Sequence, residues 1–372
     1  MPRKIFLSFL GISSYEPVSY WITRSAENAP LEKYVQKTIL NHLAPTFSAD
    51  DQAYIFLTDE ARAANWENDG HYDRKEKTVI PNIGLAQQIE QAAYAFGVNP
   101  VDVDGESEPE AIWATFERVF DCIQPNDEVY LDITHSWRYL PMLGMTLLNY
   151  AKVLKRIQVK AIYYGAFEQL GKPHEVKQLP MDERPVPVLN LVSFSEVQDW
   201  SAAAHDFVHY GKTERWNALS NTTLQPNLRH ITKQMSNLTA LIATNRGRSL
   251  MEYNFEQLQQ ALDRFSAEHN YIKPLNGIIH QVKEKIASFD TGATRLNWLH
   301  AVGWCLDHGL IQQGITQLQE GLQTYLCQHF EKNKIAPGLF DWQKEKGRAL
   351  VSGCLNIIHF ERPEHEWYGA AK

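Results

Sequence analysis

An apolar strand carrying Val129, Leu131 and Ile133 runs directly into Thr134, His135, Ser136 and Arg138. Two hydroxyls, an imidazole and a guanidinium crowd one strand end, beside the amides left free where a helix begins. Such groups in that place recognise an anion: hydroxyls and amides donate to its oxygens, and a guanidinium can engage two of them at once. Asp132 opens the segment and is suited to orienting the turn. Taken singly, each residue also has a plain role, His135 as a packed histidine and Arg138 as the partner of a surface carboxylate. Their concentration is what points to a ligand. A second loop, Gly11, Ser13, Ser14 and Tyr15, follows the first apolar strand, where a glycine lets backbone approach a ligand and serines add hydroxyls. Taken alone it reads more readily as a glycine turn. GxGxxG is absent and Glu16-Pro17 does not open a helix, so this is no dinucleotide fingerprint. A hydrolase triad would need His135 to activate Ser136 or Ser13, and a Ser and a His adjacent on one turn more often point apart.

The elements that must position these loops are legible as alternating short apolar runs and helical patterns over the first 165 residues. Strands are expected at Lys4 to Leu10, Gln52 to Leu57, Asn99 to Val103, Glu128 to Ile133 and Ile157 to Tyr164. Helices are expected at Leu31 to His42, Leu85 to Phe96, Glu110 to Ile123 and Leu140 to Leu154, the third capped by Ser107 with Pro109 in its first turn. This βα alternation implies a Rossmann-like parallel sheet with helices on both faces, which binds ligands beyond the carboxyl ends of its strands. From Ile162 to Pro187 the chain is polar and proline-bearing, and reads as a hairpin or linker leaving the sheet. After Ser193 helical spacing dominates. The pattern from Trp298 to Phe330 fits two helices, or one kinked helix, broken near Gly309 and Gly314. The expected fold is α/β over residues 1–190 and mostly α-helical over 191–372.

A chain of 372 residues can bury a sizeable core in each of two domains, and a net charge of -8 argues against a surface shaped throughout to coat nucleic acid. The four cysteines have neither CxxC spacing nor a disulfide framework, which fits reduced thiols in a cytosol and offers no metal site. No apolar run reaches signal-peptide or membrane-span length, so a cytoplasmic protein is expected.

In order along the chain, several segments resemble the CRISPR-associated Rossmann-fold (CARF) proteins of the DxTHG-motif group, which belong to type III CRISPR systems. They are Phe9-Leu10-Gly11 with Ser13, Ser14 and Tyr15; Phe56-Leu57-Thr58-Asp59-Glu60-Ala61-Arg62 with Asn65-Trp66; and Asp132-Ile133-Thr134-His135 with Arg138, Leu140 and Pro141. Tyr163 to Glu168 and Gln312-Gln313-Gly314-Ile315-Thr316 continue the likeness. Ser136 stands where the group has glycine, and a side chain there narrows the pocket or adds a hydroxyl. The resemblance implies a homodimer in which two Rossmann-like domains bind one cyclic oligoadenylate, cyclic tetra-adenylate or cyclic hexa-adenylate, as an activating ligand and with no cofactor. Its site would comprise Gly11, Ser13, Ser14, Tyr15, Asp132, Thr134, His135, Ser136 and Arg138.

The same resemblance implies a C-terminal HEPN-like domain that cleaves single-stranded RNA without a metal, through an arginine and a histidine spaced R-x4-6-H. Two pairs have that spacing: Arg264 with His269, and Arg295 with His300. Neither carries the asparagine that often follows the arginine. In the family the motif lies nearer the C-terminus, so the expectation is either a helical domain shortened at that end or one in which one of these pairs has been put to use. Two alternatives remain open. One is a ring nuclease in which the ligand's own 2′-hydroxyls attack their phosphates, positioned by Ser136, Thr134 or Arg138. The other is a non-enzymatic, messenger-dependent regulator, whose basic hints are Lys152, Lys155, Arg156, Lys160, Arg246 and Arg248.

Overall fold

The computed structural model describes residues 2–23, 30–67, 71–73, 77–80, 82–105, 108–135, 139–222, 226–267, 273–289, 296–335, 341 and 344–360. They form two compact units, Met1–Glu196 and Val197–Lys372. In the first unit the strands are β1 (Lys4–Phe9), β2 (Val18–Trp21), β3 (Leu31–Glu32), β4 (Gln52–Leu57), β5 (His71–Asp73), β6 (Thr78–Ile80), β7 (Gly97–Asp102), β8 (Glu128–Asp132), β9 (Gln158–Gly165) and β10 (Pro185–Asn190). Helices α1 (Val35–Leu43), α2 (Asp59–Ala61), α3 (Leu85–Ala92), α4 (Pro109–Cys122), α5 (Leu140–Lys155) and α6 (Pro173–Val176) lie between them, with a π-helical turn at Arg62–Trp66.

Eight strands make one sheet in the order β3-β2-β10-β9-β8-β1-β4-β7, and β5 pairs with β6. The run β9-β8-β1-β4-β7 is parallel throughout. Numbered among themselves these five strands follow the Rossmann order, with the chain reversing direction of progress between β1 and β8. Period-two alternation distributes β1 between the two faces. Ile5, Leu7 and Phe9 pack with Phe116 and Val119 of α4 and Leu147 and Leu148 of α5. Phe6 packs on the opposite face with Val35, Ile39 and Leu40 of α1 and Leu85 of α3. The expected α/β architecture with a helical second half is thus present.

The sheet departs from an all-parallel one at a single edge. The proline-bearing segment read as a hairpin or linker forms β10, antiparallel to β9 and parallel to β2, which in turn pairs with β3. Val186 and Val188 are buried and hold the strand in the core, while Pro185 and Pro187 fall on the same alternate positions, so their missing amides weaken one ladder only. The side chain of Arg184 ties down the approach by donating to the carbonyls of Lys177, Leu179 and Pro17. The helix expected from Leu31 begins at Val35 instead, because Leu31 and Glu32 pair with β2. At α4 the cap position is taken by Glu108, with no side-chain capping bond, and Ser107 lies outside the described residues.

The second unit is helical: α7 (Val192–Tyr210), within which the division falls, α8 (Glu214–Thr222), α9 (Pro226–Ala243), α10 (Gly247–Met251), α11 (Phe255–Ala267), α12 (Leu275–Ile286), α13 (Asn297–Asp307), α14 (Ile311–Lys332) and α15 (Glu345–Phe360). Its core gathers Trp216, Phe207, Phe255, Phe265 and Phe289 around Met235 and Leu238 of α9. The long pattern from Trp298 to Phe330 is two helices. They part at Gly309, which takes a φ of +68° that suits glycine, and Gly314 lies inside α14.

A Cβ on Gly321 would fall 2.1 Å from the Trp298 ring, a backbone-to-ring contact with no room to relax. Gly321→Ala is expected to lower stability by about 2 kcal/mol or more, the range of overpacked cores. Thermal unfolding checks it, and an unchanged midpoint would show that α13 and α14 separate freely.

Candidate ligand-binding site

The loops after β1 and β8 leave adjacent strands at the point where strand order reverses, the place an open α/β sheet offers a ligand. Ser8 of β1 and Asp132 of β8 are direct register partners there. The Asp132 carboxylate is buried and accepts three hydrogen bonds, from the Ser8 hydroxyl at 2.7 Å, the Thr134 amide at 3.0 Å and the Thr134 hydroxyl at 2.6 Å. The Thr134 oxygen in turn accepts the Gly165 amide at 2.8 Å. A Cβ at Gly165 would stand 3.1–3.2 Å from Val35, Thr134 and Tyr20, so glycine suits that close approach. Asp132 and Thr134 therefore lock three strand ends together. Their polar atoms are committed to the protein, and burial raises the Asp132 pKa against the opposing pull of its donors.

The Gly11 loop is held from the other side by Asn65, fully buried in the π-helical turn. Its amide donates to the carbonyls of Gly11 at 2.8 Å and Ser13 at 2.9 Å, and its oxygen lies 3.0 Å from His71 Nε2. Asn82 and Tyr34 back this arrangement with a shared bond of 3.0 Å, and Asn82 also donates to the Ala64 carbonyl. Tyr15 folds back so that its hydroxyl accepts the Gly11 amide at 2.9 Å. Its ring stacks on His135, with centroids 4.1 Å apart and planes inclined by 29°. Ser13 and Ser14 are exposed.

The stacked pair stands between two cavities. One, of about 430 Å³, is lined by Phe9, Leu10, Gly11, Phe56, Thr58 and Glu60 among others; the second, of about 260 Å³, includes Glu16, Tyr20, Tyr164 and Glu168. Ser13, Tyr15, Thr134 and His135 line both. The larger volume lies within the range of small-molecule pockets.

Residues 5–168 match the family model of the CARF domain of the CRISPR system endoribonuclease Csx1. The N-terminal unit is a CARF domain. The resemblance to CARF proteins of type III CRISPR systems, read from the sequence, is thereby borne out. CRISPR-associated protein MJ1674 of Methanocaldococcus jannaschii is 22% identical over 286 residues, covering 72% of this chain. The match covers 42% of MJ1674, so this chain spans less than half the length of that curated relative. Among solved structures, Enterococcus italicus Csm6 bound to cyclic hexa-2′-fluoro-hexa-dAMP superposes with a TM-score of 0.47 at 13% identity, over 96% of this chain and 75% of that one.

The CARF domain alters the chemistry first read from the residues. Burial lowers His135 to a pKa of about 4, so its imidazole is neutral near pH 7 and supplies no positive charge to an anion. Its Nε2 is buried and has no hydrogen-bond partner among the described residues. No described lining residue of either cavity is a lysine or arginine. Ser136 and Arg138, which complete the expected set, lie outside the described residues. Asn65 entered the sequence reading only through the family resemblance. An asparagine between Ala64 and Trp66 carries no signal that it will hold a loop 54 positions away.

Three of the six basic residues offered for a partner surface are engaged within the N-terminal unit. Lys155 donates to the Phe120 and Ile123 carbonyls at 2.7 Å and sits over the Phe120 ring. Lys152 reaches the Ser195 hydroxyl, and Lys160 pairs with Glu128. In the helical unit Arg264 is exposed on α11 and His300 is half-buried on α13, its ring 6.1 Å from that of Phe289. Their sequence partners His269 and Arg295 lie outside the described residues. Among the described residues no group of three or more His, Cys, Asp or Glu side chains could hold a metal, and no helix is long and apolar enough to cross a membrane.

Proposed function

We propose that the chain is a sensor of cyclic oligoadenylate in type III CRISPR defence, working as a homodimer in which two CARF domains share one ring, cyclic tetra-adenylate before cyclic hexa-adenylate. The observation that carries this reading is the paired cavity at the β1/β8 switch point of a CARF domain. It is bounded by the Gly11 loop on one side and Thr134-His135 on the other. Ser13 and Ser14 would supply hydroxyls to riboses and phosphates, and the family pattern adds the positions of Ser136 and Arg138 to that set. Occupancy would control a HEPN-like helical unit that cleaves single-stranded RNA, with Arg264, His269, Arg295 and His300 as its candidate catalytic residues. The match of the CARF domain to that of an endoribonuclease favours this over a regulator without activity.

Calorimetry with cyclic tetra-adenylate and cyclic hexa-adenylate tests the sensor. Binding at micromolar concentration or below is expected, and no binding of either ring overturns it. Because His135 is lowered to about 4, the affinity is expected to stay flat from pH 6 to 8. A cationic histidine with an ordinary pKa would instead lose affinity as pH rises through the region near 6.5. RNA cleavage that requires the ring and disappears in His300→Ala or His269→Ala would locate the nuclease.

A further inference from the structure

Three features of the pocket converge on one side chain. The Tyr15 ring covers a face of the His135 imidazole, its hydroxyl holds the Gly11 amide, and its body forms part of the wall between the two cavities. Around it the other polar groups are fixed: Asn65 anchors the Gly11 and Ser13 carbonyls, and Asp132 anchors Thr134. Tyr15 itself belongs to no helix or strand. The loop backbone is thus pinned at Gly11 and Ser13, while the tyrosine, belonging to no regular element, is held by the His135 stack, an edge contact with the Tyr34 ring at 5.9 Å and a single neutral hydrogen bond.

We propose that His135 is the stacking platform for a base of the ligand and the Gly11 amide a donor to its phosphate, both occupied by Tyr15 until the ligand takes them. This rests on the sensor reading above. The exchange is favourable group by group. A purine presents a larger π-face to an imidazole than a phenol does. A phosphate oxygen is a stronger acceptor for an amide than a neutral phenol oxygen, and burial keeps the Tyr15 hydroxyl un-ionised. Movement of Tyr15 also opens part of the wall shared by the two cavities, so that adjacent nucleotides of one ring can occupy both. Tyr15 therefore sets the rate at which the site accepts its ligand, and the neutral His135 selects a flat, uncharged ring.

Stopped-flow association of a fluorescent cyclic tetra-adenylate with wild type and Tyr15→Phe tests the proposal. The variant keeps the ring and loses only the hydroxyl. It is expected to associate about threefold to tenfold faster, the factor by which one neutral hydrogen bond shifts an equilibrium, with its dissociation rate unchanged. The Gly11 amide should exchange faster with solvent in the unliganded variant. Tyr15→Leu, which also removes the stack, should associate faster still. If Tyr15→Phe associates at the wild-type rate, or dissociates faster, Tyr15 is a ligand contact or a bystander and the proposal falls, although the sensor reading stands. Failure of wild type to bind any cyclic oligoadenylate removes that reading instead.

Discussion

Asp132→Ala is expected to destabilise the CARF domain by about 3 kcal/mol or more, while Asp132→Asn changes its stability by about 1 kcal/mol or less. Alanine leaves the Ser8 hydroxyl, the Thr134 hydroxyl and the Thr134 amide without their acceptor in a buried place. Each orphaned group costs about 1–3 kcal/mol before relaxation. Asparagine preserves the arrangement if the native carboxyl is protonated. Oδ1 still accepts from Thr134, and the amide nitrogen donates to Ser8 as a protonated Oδ2 would, with the Ser8 hydroxyl turned to accept. Burial raising the Asp132 pKa makes that neutral form accessible. The sign of the pH dependence follows. A carboxyl raised on folding contributes its stability below the unfolded value near 3.9 and loses it as pH rises through the folded value. The asparagine variant has no such loss, so its stability should improve relative to wild type as pH rises from 4 to 8. Urea denaturation across that range measures both effects, and an asparagine variant that loses stability relative to wild type as pH rises would mean Asp132 is held as a carboxylate.

The role of Asp132 as a turn-orienting residue was open in the sequence, since an acid followed two positions later by Thr134 has a local partner within reach. What could not be read was that Ser8 and Gly165 would join it, because those contacts depend on strand order. The βα alternation indicated a parallel sheet, and each polar loop could be placed at a strand end from its neighbours alone. That the β1 and β8 loops face each other follows only from the reversal of order between those strands. The same distinction accounts for the misread edge. Pro185 and Pro187 are strong local signals of a break, and they were outweighed by the burial of Val186 and Val188 against a sheet built elsewhere in the chain. His135 shows the limit most clearly. Its residue type suggests a charge for an anion, and burial, which no local pattern reports, makes it neutral. In the helical unit the apolar spacing carried the elements, but an Arg and a His in fixed spacing do not by themselves define a reactive site.

Asn65 offers the sharpest separation between holding the site and touching the ligand. Asn65→Ala is expected to weaken cyclic oligoadenylate binding about 10-fold to 100-fold, with a loss of about 2 kcal/mol in stability. Its side chain is fully buried, and both of its amide hydrogens go to carbonyls of the Gly11 loop. Without them Gly11 and Ser13 are free to sample other conformations, and the ligand must then order the loop as it binds, which subtracts from affinity. Asn65→Asp separates this from a loss of volume. A carboxylate has the same size but presents oxygen to the two carbonyls, so it should bind at least as weakly as alanine. Calorimetry measures the affinities, and denaturation confirms that each variant is folded under those conditions. Wild-type affinity in both variants would mean that the ligand does not use the Gly11 loop, leaving Thr134 and His135 to carry the site from the β8 side.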